Sequence, residues 1–131
     1  MSFQTTYYFS LLENEFQQLK ISQDIAEKEI LARNIISRGY YTVLLHCKYV
    51  LELTFIKSQD SDTHKRIYEA VINRQVKNFL KLYKTLRIEA DYYKTLSSDL
   101  INEITEIKLS KFIDIIKNFL SFDKLKLKQS I

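Results

Sequence analysis

Apolar side chains recur every three to four positions along most of this chain, in blocks separated by short polar stretches. In the first block, residues 1–21, Tyr8, Leu11, Leu12, Phe16 and Leu19 share one face at helical spacing. The repeat lapses at Ile21–Gln23. Asp24 followed by Glu27 then reads as a capping box, a pair of side chains able to satisfy the free amides of a helix start. The second helix is expected to run from Ile25 to Ile56, with an apolar line through Ala26, Ile30, Tyr41, Leu44, Leu45, Leu51 and Phe55. At that length it spans about 48 Å at 1.5 Å per residue. Gly39 lies in its middle, where glycine costs about 1 kcal/mol relative to alanine. A glycine there points to a packing contact, the close approach of another backbone, with a functional need as the alternative.

Lys57–Thr63 (KSQDSDT) reads as a loop, and a third segment begins near His64 with Ile67, Ala70 and Val71. After a break near Asn73, Val76, Phe79, Leu80, Tyr83, Leu86 and Ala90 repeat strongly. Leu96–Ser98 forms a second loop, with Ser97 or Ser98 as a cap. The last helix is expected over Asp99–Phe122, with Leu100, Ile104, Ile107, Phe112, Ile115, Phe119 and Leu120 as its stripe. The expected architecture is all-α, an antiparallel bundle of four to five helices in one domain over residues 1–122. A solvated, Lys-rich tail over 123–131 follows, carrying Lys124, Lys126 and Lys128.

Composition narrows this picture. The chain has 131 residues, no proline and one glycine, which disfavours a turn-rich β fold. With 46% hydrophobic and 27% charged residues it falls in the globular range. No apolar run is long enough to span a bilayer, and no signal-peptide order opens the chain, so no membrane contact is expected. The lone Cys47 cannot form an internal disulfide, which fits a reducing cytoplasm. The net charge of +4 permits contact with nucleic acid or an acidic partner without requiring it.

Three kinds of chemistry are set aside. His46 and Cys47 are adjacent, so on a helix they diverge by about 100° and cannot share a metal. No paired Cys or His motif is present, and neither a metal nor a cofactor is expected. One glycine cannot build a phosphate-cradling loop. Cys47, set in an apolar run, reads as a buried, inert thiol.

Two constellations remain. Arg38, Thr42 and His46 follow i, i+4, i+8 near Tyr41. In one reading, His46 is a core histidine bonded to backbone or a tyrosine, and Arg38 pairs with a carboxylate across the bundle. In the other, this face lines a cleft and Arg38 binds phosphate. The second constellation is RIEADY, where Arg87 and Asp91 stand at i, i+4 beside Tyr92. His64, opening the THKRIYEAV segment, is a third polar point.

Three segments in this order, SRGYYTVLLHC at Ser37–Cys47, THKRI at Thr63–Ile67 and LYKTLRIEADYY at Leu82–Tyr93, carry a resemblance. Together they resemble the HEPN superfamily, in particular a branch with S-R-x-Y-Y, T-H-K and R-x-x-A-D-Y patterns. The resemblance spans roughly residues 8–120 and implies a helical bundle that forms a homodimer. It also implies a role in a toxin–antitoxin or phage-defence type of system. Many members are metal-independent endoribonucleases marked by an arginine followed, after four to six residues, by a histidine.

This sequence departs from that signature. Three residues separate Arg87 from Asp91, and seven separate Arg38 from His46. The resemblance therefore implies a protein that binds RNA, nucleotide or a partner such as a minimal nucleotidyltransferase or antitoxin. Arg38 and Arg87 would contact phosphate, Asp91 would orient Arg87, and Tyr41 and Tyr92 would stack or donate a hydrogen bond. The rival is a ribonuclease toxin with an atypical site, in which Arg87 and Asp91 act with His46 or His64 as acid–base group. A third possibility is a purely structural helical subunit.

Overall fold

A computed structural model describes residues 2–53 and 60–130. Among them are seven helices and no strand, in keeping with the expected all-α class. They are α1 (Phe3–Ile21), α2 (Ile25–Val50), α3 (Asp60–Ala70), α4 (Arg74–Tyr92), α5 (Ser98–Glu103), α6 (Glu106–Phe119) and α7 (Lys124–Leu127). Six helix starts are capped by a side chain that accepts a free backbone amide: Ser2, Asp24, Asn73, Ser97, Thr105 and Asp123. The box expected at α2 is half formed. Asp24 accepts from Ala26 and Glu27, but its own amide donates to Ser22 Oγ at 3.2 Å, not to Glu27.

α2 is the axis of the bundle, flanked by α1, α4 and α6. Ser37 of α2 meets Asp91 near the end of α4, while Leu44 lies near Leu80, so the two helices run antiparallel. α4 and α6 also run antiparallel: Tyr83 packs on Phe112 with ring centroids 4.7 Å apart, and Phe79 on Phe119 at 5.5 Å. α2 and α6 run the same way, Gly39 facing Phe112 and His46 facing Phe122. A packing contact is thus present at Gly39 as expected, but the neighbours that exclude a side chain there are the Phe112 ring and Ile116, not another backbone.

The buried stripe of α2 differs from the expected line. It passes through Leu31, Ala32, Ile35, Ile36, Tyr40, Val43, Leu44 and Cys47, whereas Ile30 is 59% exposed. Flanking helices on several sides give α2 a broad buried face, and its first turns project past it. Burial pushes the Cys47 thiol up to about 12, as expected of an inert core thiol.

α2 also stops earlier than its apolar repeat suggests, at 26 residues, about 39 Å. Leu53 N–H bonds to Lys48 O and Glu52 N–H to Tyr49 O, the double closure of a Schellman cap. Glu52 holds the left-handed conformation this closure needs, with φ of 56°. A side chain there costs roughly 1–2 kcal/mol, so Glu52→Gly is expected to raise stability by about 1 kcal/mol. The urea midpoint tests this; an unchanged or lower midpoint contradicts it. The expected extension through Phe55 and Ile56, and part of the Lys57–Thr63 loop, lie outside the described residues. Asp60–Thr63 already belong to α3.

Two corrections concern the C-terminal third. The single helix expected over Asp99–Phe122 is divided at Ile104–Thr105, where Thr105 caps α6. The break resets the helical phase, so Ile107 is 72% exposed while Leu109, Ile113 and Ile116 are buried. The tail expected to be solvated is folded back. Leu127 is fully buried, and its carbonyl accepts the amides of Ile72 and Asn73, both at 2.9 Å. Its lysines stay exposed because only one position of the α7 turn faces inward.

Candidate functional site

Arg87 sits where the buried stripe of α4 would place another apolar residue. Val76, Leu80, Tyr83, Arg87 and Ala90 follow one another at intervals of three or four, so the guanidinium points at α2. Its side chain is only 11% exposed. Nη1 lies 3.7 Å from Asp91 Oδ2, a loose ion pair, and the buried Nε has no hydrogen-bond partner. Two ring faces compensate in part: Arg87 Cζ lies 5.6 Å from the Tyr40 centroid and 5.1 Å from that of Tyr41. Ser37 Oγ donates to Asp91 Oδ2 at 3.2 Å and fixes the carboxylate from the α2 side. A guanidinium so weakly paired gains a strong partner in any anion that reaches it.

α3 brings His64 to the same rings. Its ring stacks on Tyr40 at 5.7 Å and meets Tyr41 edge-on at 5.8 Å. Tyr40 Oη lies 2.9 Å from His64 Nδ1. Burial pushes the Tyr40 phenol up to about 12, while the Arg87 charge pulls the other way. Tyr40 therefore keeps its proton at neutral pH, and we assign it as the donor to Nδ1. A neutral His64 then carries its proton on Nε2. Beside this cluster opens a cleft of about 420 Å³ between α3 and α4. Its floor is Leu44, Leu80 and Tyr68; its rim carries Lys65, Lys81 and Lys84, and no carboxylate is among its described lining residues.

Of the residues singled out from the sequence, Tyr41, His64, Arg87 and Asp91 come together. Arg38 does not join them. Its Nε pairs with Glu15 of α1, and it lines a separate cleft together with Tyr41. Tyr92, at the end of α4, is 74% exposed and stands outside the cluster.

His46 is withdrawn altogether. It is 3% exposed, and Nε2 donates to the Phe122 carbonyl at 2.9 Å. It is the bonded core histidine of the first reading, because its turn of α2 faces α6 and not α3. Sequence reasoning missed Tyr40, which looked like plain core, and Ser37. It also missed Lys65, Lys81 and Lys84, whose spacing on polar faces gave no cue that they share one cleft.

Burial holds His46 below the ordinary imidazole range, with the Phe122 bond opposing part of that effect. Its buried Nδ1 has no partner, so protonation would put an uncompensated charge in the core. The unfolded chain gains this proton as pH falls below about 6.5, and the folded chain resists it. Stability is therefore complete above that pH and declines as pH falls through the lower folded value. His46→Gln, which can still donate to Phe122, is expected to flatten the fall in melting temperature on acidification. An unchanged slope contradicts this assignment.

Compared with known protein families, curated proteins and solved structures, the chain matches none.

Proposed function

We propose that this chain is a HEPN-like helical-bundle protein that binds a phosphate-bearing ligand, RNA or nucleotide, at Arg87. It acts as a cytoplasmic homodimer in a toxin–antitoxin or phage-defence type of system, with a partner such as a minimal nucleotidyltransferase or antitoxin. The observation that carries the reading is the under-satisfied Arg87 guanidinium. It is nearly buried beside two phenol rings, next to a lysine-rimmed cleft with no carboxylate among its described lining residues. Phosphate suits it because a guanidinium and nearby ammonium groups make charge-assisted bonds to its oxygens. Tyr41 and His64 offer flat faces on which bases stack.

A second reading, a metal-independent endoribonuclease, draws support from His64 alone. Its imidazole shares the Tyr40 and Tyr41 rings with Arg87, and Tyr40 Oη holds it at Nδ1. In that role the Tyr40 bond would reverse, Nδ1–H donating to the Tyr40 oxygen, so that Nε2 takes the proton of a ribose 2′-hydroxyl while Arg87 offsets the charge on the phosphate.

One experiment separates the readings: labelled single-stranded RNA incubated with protein and a chelator, analysed on native and denaturing gels. Binding without chemistry gives retarded, full-length RNA, and Arg87→Ala abolishes the retardation. Products that vanish in His64→Ala establish the second reading. RNA that is neither retained nor cleaved excludes this RNA as the ligand in both readings.

A further inference from the structure

We propose that the cleft between α1 and α2, beyond Tyr41, is a nucleobase pocket that receives the residue adjoining the phosphate held by Arg87. This rests on the reading above and sharpens it: the ligand is a polynucleotide segment, not a mononucleotide.

Tyr41 is the partition between two clefts. Its ring touches Tyr40 and His64, with centroids 5.4 and 5.8 Å away, and both of these line the lysine-rimmed cleft. Tyr41 itself lines a second cleft of about 400 Å³ with Tyr8, Asn34, Arg38 and Leu45. Arg87 stands 5.1 Å from the Tyr41 centroid, close to this partition. A terminal phosphate needs one cleft beside it. Arg87 itself lines neither cleft, but the two rings it packs on, Tyr40 and Tyr41, line one each, which suits an internal phosphodiester with a nucleotide on each side.

The chemistry of the second cleft is that of a base and not of another phosphate. Arg38, the one cationic group among its described lining residues, is already paired with Glu15, so the charge there is neutralised. The lysines of the first cleft have no carboxylate beside them among its described lining residues. Leu45 provides an apolar surface, and Tyr8 and Tyr41 provide aromatic rings for stacking. Asn34 presents a donor and an acceptor in one plane, the pattern that pairs with a base edge. Ser37 ties the two halves together: it lines this cleft while its hydroxyl holds Asp91, the partner of Arg87.

The test compares a nucleoside 5′-monophosphate with a short single-stranded RNA, both titrated into the full chain by fluorescence anisotropy and competition. The wild type is expected to prefer the RNA. Tyr8→Ala and Asn34→Ala each weaken RNA by about tenfold, the size of one lost base stack, and leave the mononucleotide unchanged. Tyr8→Phe keeps the ring and should keep the affinity. Asn34→Asp keeps the shape and loses the amide donor, so it should lose affinity as Asn34→Ala does, which guards against a fold defect. If RNA binds and depends on Arg87, but all four variants match the wild type, the base pocket is wrong while the phosphate site stands. If the wild type binds neither probe, both proposals fall.

Discussion

Gly39→Ala is expected to lower stability by about 2 kcal/mol, although alanine is the better helix former by about 1 kcal/mol. A Cβ at Gly39 would overlap the edge of the Phe112 ring and come within 2.6 Å of Ile116 Cδ1. Relief by side-chain movement is restricted. Phe112 is 2% exposed and wedged against Phe79 and Tyr83, and Ile116 is fully buried. Overpacking of this kind forces side chains off their rotamers and displaces backbone. Urea denaturation measures the loss, and a double-mutant cycle identifies its cause. Ile116→Val removes the Cδ1 methyl, so it should cost less in the Gly39→Ala background than in the wild type. Equal stability of Gly39→Ala and wild type would contradict the packing of α2 on α6.

The second large effect concerns Arg87→Met. Methionine keeps the length of the side chain but not its charge. A nearly buried guanidinium with a 3.7 Å ion pair and an unpaired Nε contributes little to folding. Replacing such a group by an apolar one of similar volume is often neutral or stabilising by about 1 kcal/mol or more. Stability is therefore expected to hold or rise. Binding of a phosphate-bearing ligand should fall about 30-fold, the equivalent of roughly 2 kcal/mol for a lost charge-assisted bond. The opposite pattern, lower stability with intact binding, would make Arg87 a structural residue and remove the site.

Much of the fold was legible because its punctuation is local. Asp24 and Ser97 announced helix starts through their own side chains, and the Val76–Ala90 repeat follows a single face. The errors arose where a boundary depends on conformation or on tertiary neighbours. Nothing in the sequence marks Glu52 as left-handed, since glycine is the usual residue there. The α5–α6 break rests on Thr105 turning its hydroxyl to the Lys108 amide within an otherwise apolar repeat. Leu127 joins the core through contacts with the α3–α4 junction, more than fifty positions earlier.

The candidate site divides in the same way. Arg87 and Asp91 could be paired from their i, i+4 spacing alone. The i, i+4, i+8 spacing of Arg38, Thr42 and His46 implied one shared face. Because α2 is flanked by α1, α4 and α6, that face splits: Arg38 turns to Glu15 while His46 enters the core. Tyr40 was hidden because a fully buried tyrosine looks like packing until its hydroxyl is seen at His64.

The central claim is that ligand phosphate lodges between α2, α3 and α4 at Arg87. Its most direct test is a 1H–15N correlation spectrum of the labelled protein titrated with short single-stranded RNA. The account predicts that saturable shifts concentrate on Ser37, Tyr40, Tyr41, His64, Arg87 and Asp91. Shifts confined to the groove between α4 and α6, or a spectrum unchanged at high RNA concentration, would contradict it.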